Sequence, residues 1–158
     1  MNNSFWEDEP RFLVDAMLGP LCKWLRFMGF DTICAADESD YDLAVVARRD
    51  ERIIVTRDKE FTRRSGIRYL LIRPGSTDEQ LRQIARELRL PKAKLLSRCP
   101  NCNADLVSAS LAMVVGKIHP SVASKYTSFK VCQNCDSIYW RGEEWQRILA
   151  TLERLNLL

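Results

Sequence analysis

Apolar residues in the first ninety positions fall into two alternating rhythms. Short unbroken runs mark buried strands, and stripes at three- and four-residue spacing mark helices. RFLV (11–14) is the first run. Leu18, Leu21, Cys22, Leu25 and Met28 follow at helical spacing, with Pro20 tolerated in the first turn and Gly29 as a stop. FDTICA (30–35) predicts a second strand, and Tyr41–Asp50 predicts a helix with Leu43, Val46 and Ala47 inward and Ser39 or Asp40 as its cap. RIIVT (52–56) is the clearest strand, followed by a short helix over Lys59–Arg64 that ends at Gly66. IRYLLIR (67–73) predicts a fourth strand closed by Pro74-Gly75, and Thr77-Asp-Glu-Gln80 has capping-box spacing for a helix to about Leu90, before Pro91. This βαβαβαβα order predicts an α/β fold, a parallel sheet of roughly four strands with right-handed crossovers and flanking helices. Beyond PKAKLLSR (91–98) the patterning weakens around two Cys-x-x-Cys pairs. Glu143–Asn156 then closes the chain as an amphipathic helix, with Trp145, Ile148, Leu149, Leu152 and Leu155 on its apolar face. The expected division is an α/β unit over 10–96 and a cysteine-bearing unit with a C-terminal helix over 97–158.

Composition narrows the class. The 158 residues are 46% hydrophobic and 28% charged, ordinary globular usage. A chain of this length buries about two thirds of its unfolded surface and needs no disulfide to fold. No apolar run approaches the ~20 residues of a membrane span. MNNSFWEDEP lacks the basic and apolar regions of a signal peptide, so a cytoplasmic protein is expected. The net charge of +3 conceals an asymmetry: residues 1–50 carry −5, residues 51–98 carry +7 and residues 99–158 carry +1. A basic segment beside an acidic one suits a polyanion held by the first and processed at the second. The one histidine, His119, excludes a two-histidine ribonuclease and a His-rich zinc hydrolase. It lies between the cysteine pairs and is expected to be exposed and non-catalytic.

Cys99-Pro-Asn-Cys102 and Cys132-Gln-Asn-Cys135 form two knuckles. Four such thiolates fit a tetrahedral zinc site with Zn–S near ~2.3 Å and leave no position for water, which makes the zinc structural. The residue after each second cysteine favours φ > 0, and Asn103 and Asp136 are types that tolerate it. Disulfides are the rival reading, disfavoured without a secretory signal. Cys22 and Cys34 stand singly on apolar elements and are expected in the core.

Three acids sit where strands end or helices begin: Asp15 after RFLV, Asp40 at the second helix and Asp58 after RIIVT. Carboxyl ends of parallel strands line the ligand crevice, and a helix running back begins there too, so the three should converge. Clustered carboxylates repel one another, and a divalent cation resolves the conflict. Oxygen-only ligation selects Mg²⁺ or Mn²⁺, which suit phosphoryl transfer by orienting an attacking water and neutralising the leaving oxygen. Asp42 and Glu60 are additional acids within reach. The rival reading is capping, since aspartate is a favoured N-cap and all three precede helices. An aspartyl-phosphate phosphatase built on Asp15 wants a second Asp where the chain has Met17.

FLVDAMLGPLCKWLRFMGFDT (12–32), IIVTRDKEF (53–61), SRCPNCNADL (97–106) and CQNCDSIYWRG (132–142), in this order, resemble one family. It is the PIN-like RNase domain fused to a zinc ribbon, named after the C-terminal domain of the Mut-seven exonuclease. The resemblance spans residues 11–145. It implies a PIN-like α/β nuclease followed by a small four-cysteine zinc ribbon, with Asp15, Asp40 and Asp58 as catalytic metal ligands, Glu60 as a variable fourth acid, and RNA as substrate. Asp37 and Asp42 compete with Asp40 for its role. The chain departs from the family at Asp136, where relatives usually have Gly, and at Glu144, near which they often have His.

Lys23, Arg57, Arg63 and Arg64 are the RNA-binding candidates, whereas Arg48-Arg49 end a helix and read as a solvated face. Trp24 is expected to pack, and Tyr139-Trp140 either to stack on bases or to dock the ribbon on the α/β unit, docking being the favoured reading. The function expected is metal-dependent endoribonuclease. The alternative is a non-catalytic RNA- or protein-binding module in which the acids only cap helices. A protein partner and the oligomeric state are left open.

Overall fold

A computed structural model describes residues 8–158; residues 1–7, on which much of the signal-peptide reading rests, lie outside the described residues. The four apolar runs become β1 (Phe12–Val14), β2 (Thr32–Cys34), β3 (Ile53–Thr56) and β4 (Tyr69–Leu71), paired in parallel in the order β2-β1-β3-β4. β1 and β3 are buried along their whole length, as central parallel strands covered on both faces must be. The chain leaves β1 toward β2 on one side and returns to β3 on the other. This reversal opens a crevice at the carboxyl ends of β1 and β3.

A 3-10 turn (Ala16–Leu18) leads into α1 (Gly19–Phe27), with Pro20 in its first turn. Gly29 then takes φ +91°, and a Cβ there would stand 2.5 Å from the Lys94 carbonyl, so only glycine closes this turn. α2 (Asp40–Arg49) is capped by Ser39, whose Oγ accepts from the Asp42 amide at 3.2 Å. α3 (Thr77–Leu88) has the expected capping box, but one residue earlier than its sequence spacing indicated: Ser76 pairs with Glu79. Lys59–Arg63 forms a 3-10 turn rather than an α-helix.

Strand alternation divides the core. Phe12, Val14, Ile53 and Val55 pack with Leu21, Leu25, Leu81 and Ile84, whereas Leu13 and Ile54 pack with Leu43, Ala47 and Phe61. The second part of the chain holds an antiparallel sheet of β5 (Leu106–Ser110), β6 (Ser128–Cys132) and β7 (Ile138–Tyr139). Two short helices, α4 (Leu111–Val114) and α5 (Pro120–Ala123), separate β5 from β6, and His119 caps α5 by accepting from the Ser121 amide. α6 (Glu143–Arg154) returns to the parallel layer: Ile148, Leu152, Leu155 and Leu157 belong to the core of Phe12 and Leu25. Among the described residues no helix is long and apolar enough to cross a membrane.

Two expectations are corrected. Cys22 and Cys34 are not separate core residues but a disulfide joining α1 to the end of β2, with Cys22 buried and Cys34 exposed. The topology brings their Cα atoms to 5.8 Å, within bridging range. Nor do Tyr139 and Trp140 dock the ribbon. Trp140 packs inside it, 6.4 Å from Phe129 and 6.5 Å from Tyr126. Docking falls to polar groups at the amino edge of the parallel sheet. Arg26 donates to the carbonyls of Thr32, Pro100 and Asn101 at 2.9–3.2 Å. Asn103 accepts from the Thr32 amide at 2.9 Å and donates to Asp31 at 2.7 Å.

Candidate functional site

Asp15 leaves the end of β1 and Asp58 follows the end of β3, its hydrogen-bonded neighbour. The Asp15 amide donates to the Val55 carbonyl at 3.0 Å, which fixes the start of the turn. Thr56, the last residue of β3, is fully buried. Its hydroxyl donates to Asp15 Oδ2 at 2.9 Å and accepts from the Asp58 amide at 2.9 Å. Sequence reading passed over Thr56, although its place in Thr-Arg-Asp was the signal. One hydroxyl orients the first acid and the backbone of the second.

Asp40 lies in the first turn of α2. Burial raises its carboxyl above the ordinary range, and the charges of Asp58, Asp15 and Glu60 add to this while Arg64 opposes it. Asp15, Asp40, Asp58 and Glu60 therefore share one electrostatic neighbourhood. Capping explains only one of the three principal acids. Asp58 Oδ1 accepts from the Glu60 amide at 2.8 Å, but Asp15 makes no side-chain cap bond and Ser39 caps α2 in place of Asp40. Asp42 turns to the Ser39 hydroxyl at 2.8 Å, and Glu60 pairs with Arg63 at 3.2 Å.

The cations separate likewise. Arg57 and Lys23 are exposed. Arg64 is half-buried, acts on Asp40, and has a buried Nε without a hydrogen-bond partner. Arg48 donates to the Ser65 carbonyl and Arg49 pairs with Asp50.

The four cysteines meet as their spacing indicated and are positioned to bind a metal ion. Asn103 and Asp136 take φ +73° and +61°, and their amides donate to the Cys99 and Cys132 carbonyls at 2.9 Å, closing each knuckle. All four sulfurs lie within 4.8 Å of one another, with Cys99–Cys135 at 3.6 Å and Cys102–Cys132 at 3.3 Å. Tetrahedral Zn–S bonds of ~2.3 Å require S–S edges of about 3.8 Å, so the quartet fits zinc. Among the described residues it is the one set of three or more metal-ligating side chains this close; the acids stand farther apart. Burial pushes the Cys132 thiol up to about 12, whereas hydrogen bonds from the Asn134 side chain and the Ala104 backbone pull Cys102 down to about 6. A metal cation offsets such a penalty because ligating thiols are deprotonated. The Tyr139 hydroxyl stands 3.2 Å from Cys99 Sγ, as an outer partner of the cluster.

The two groups lie at opposite ends of the parallel sheet. The knuckle carrying Cys99 and Cys102 docks on Asp31 and Thr32 at the amino edge, while the acids gather at the carboxyl edge. The model of the Mut7-C RNAse domain family matches residues 10–152. No curated protein matches the sequence.

Proposed function

The chain belongs to the Mut7-C RNAse domain family, and from that premise we propose that it is a metal-dependent endoribonuclease acting through Asp15, Asp40 and Asp58. The observation that carries this reading is Asp40. It is spared from capping by Ser39 and raised by burial and by neighbouring acids, which is a strained arrangement unless a cation joins it. The oxygen donors suit Mg²⁺ or Mn²⁺. A bound divalent ion supplies Lewis-acid charge for water activation and for the leaving oxygen. The chain's own contribution is positional. Thr56 aims Asp15, the Glu60 amide holds Asp58, and Arg64 offers a guanidinium for a substrate phosphate beside Asp40, with Arg57 and Lys23 on the approach. Glu60 is the fourth acid, while Asp42 stays with the helix cap. The quartet Cys99, Cys102, Cys132 and Cys135 holds structural zinc in this proposal. Residues 10–96 form the nuclease unit and 97–158 the ribbon with its terminal helix.

The test incubates the whole chain and its Asp58→Asn variant with a mixed single-stranded and structured RNA pool in Mn²⁺, Mg²⁺ or EDTA. Fragments are expected from the unsubstituted protein alone, and only with metal. Cleavage that persists in Asp58→Asn removes the assignment. RNA binding without cleavage in either metal favours the non-catalytic binding module, toward which the Asp58 cap is the one pointer.

A further inference from the structure

A cavity of about 510 Å³ opens where α1, the ribbon and the start of α6 meet. Tyr126, Tyr139, Trp140 and Trp145 line it, with Lys23 and Lys125 also among its walls. A second cavity of about 510 Å³ shares Lys125, Tyr126, Tyr139 and Trp140 with the first and adds Lys130 and Arg141. The two make one trough. Lys23, Lys125, Lys130 and Arg141 have no carboxylate ion-pair partner among the described residues. Lys130 donates to the Ser108 hydroxyl, and Arg141 stands 6.0 Å above the Trp145 ring. Two acids, Glu143 and Glu144, also line the first cavity.

From this trough we infer a binding groove for single-stranded RNA, separate from the carboxylates. The choice of ligand rests on the ribonuclease reading above. The physical case is the combination of cations without ion-pair partners among the described residues and the partly exposed rings of Tyr126, Tyr139 and Trp140, whose remaining surface lines the trough while Trp145 beneath is buried. Phosphates follow the cations, and unpaired bases stack on aromatic surfaces or on an arginine plane. A duplex keeps its bases stacked inside and presents no free face to such walls. Lys23 is exposed one turn into α1 and lines the trough. In this proposal the groove holds a flanking part of the strand that the acids cut.

The test follows tryptophan emission while a single-stranded oligoribonucleotide of about ten nucleotides is titrated into the zinc-loaded whole chain with no Mg²⁺ or Mn²⁺ added and no chelator. Expected are a saturable quench that salt weakens, its loss in Trp140→Phe, and about tenfold weaker binding in the Lys125→Ala/Arg141→Ala double variant. The same quench is expected in Asp58→Asn. An absent quench, an unchanged affinity in the double variant, or equal affinity for duplex RNA of the same length overturns the groove. A protein captured at the trough in place of RNA overturns it too. Cleavage that survives in Asp58→Asn while the quench behaves as expected removes the catalytic assignment and leaves the groove standing.

Discussion

Thr56 holds two acids with one hydroxyl, and the consequence is measurable. Thr56→Val keeps the volume but removes the donor to Asp15 and the acceptor for the Asp58 amide. A buried hydrogen bond is worth about 1 kcal/mol, and an orphaned partner adds to the loss. A fall in thermal midpoint equivalent to about 1–2 kcal/mol is expected, together with reduced RNA cleavage and rescue of both by Thr56→Ser. Asp40 behaves in the opposite way. Its carboxyl is raised above the ordinary 3.8 by burial and by Asp58, so ionised Asp40 destabilises the metal-free fold at neutral pH. The penalty is complete above the raised folded value and vanishes as pH falls from there toward 3.8. Asp40→Asn should therefore melt higher than the unsubstituted protein in EDTA at pH 7, and the advantage should disappear at low pH. Mn²⁺ should raise the unsubstituted protein's midpoint and leave the variant's nearly unmoved. An Asp40→Asn variant that melts lower in EDTA contradicts the clustered-acid reading. Residue identity pointed to Asp15, Asp40 and Asp58 as acids at element ends. It did not separate cap from ligand, because that depends on whether Ser39 or Asp40 reaches the free amides of α2.

The knuckle over Cys99–Cys102 serves two purposes, and Asn103 joins them. Its left-handed φ closes the turn, and its carboxamide bridges the Thr32 amide and Asp31. Asn103→Ala keeps the strained backbone and removes both bonds, with an expected loss of about 2 kcal/mol visible as a lower melting midpoint in the zinc-loaded protein. An unchanged midpoint argues that the ribbon is held by its apolar contacts alone. At this scale helices and strands were legible because their periods are local. The antiparallel strands of the ribbon were not, since the four-cysteine cluster and the packing around Phe129 bring weakly patterned sequence together there. The capping box slipped by one residue because Ser76 and Thr77 both carry a capping hydroxyl. The disulfide was unreadable from two cysteines twelve residues apart, since only the α1 crossover brings them together.

The molecule as a whole closes on α6. Leu152 is fully buried in the core built by Phe12, Leu25 and Ile84, although it lies beyond the ribbon in the chain. Leu152→Ala should cost about 2–5 kcal/mol, and denaturation should remain a single transition that includes the parallel sheet. If only the ribbon loses stability, α6 does not complete the nuclease unit. Charge acts at this scale as well. The excess of +7 in residues 51–98 includes the 3-10 turn after β3, beside acids contributed by the −5 segment. This places attraction for a polyanion next to the groups proposed to cut it.

Local pattern was enough for the βα alternation, the four zinc-type cysteines with their left-handed neighbours, and the family resemblance. All of these depend on period, spacing and residue type within short windows. Three-dimensional packing alone decided the rest: that Thr56 bridges Asp15 and Asp58, that Ser39 frees Asp40 from the cap, and that Arg26 and Asn103 fasten the ribbon away from the acids. Those outcomes depend on groups up to 75 residues apart, and sequence spacing carries no information about such distances until the crossovers and docking are formed.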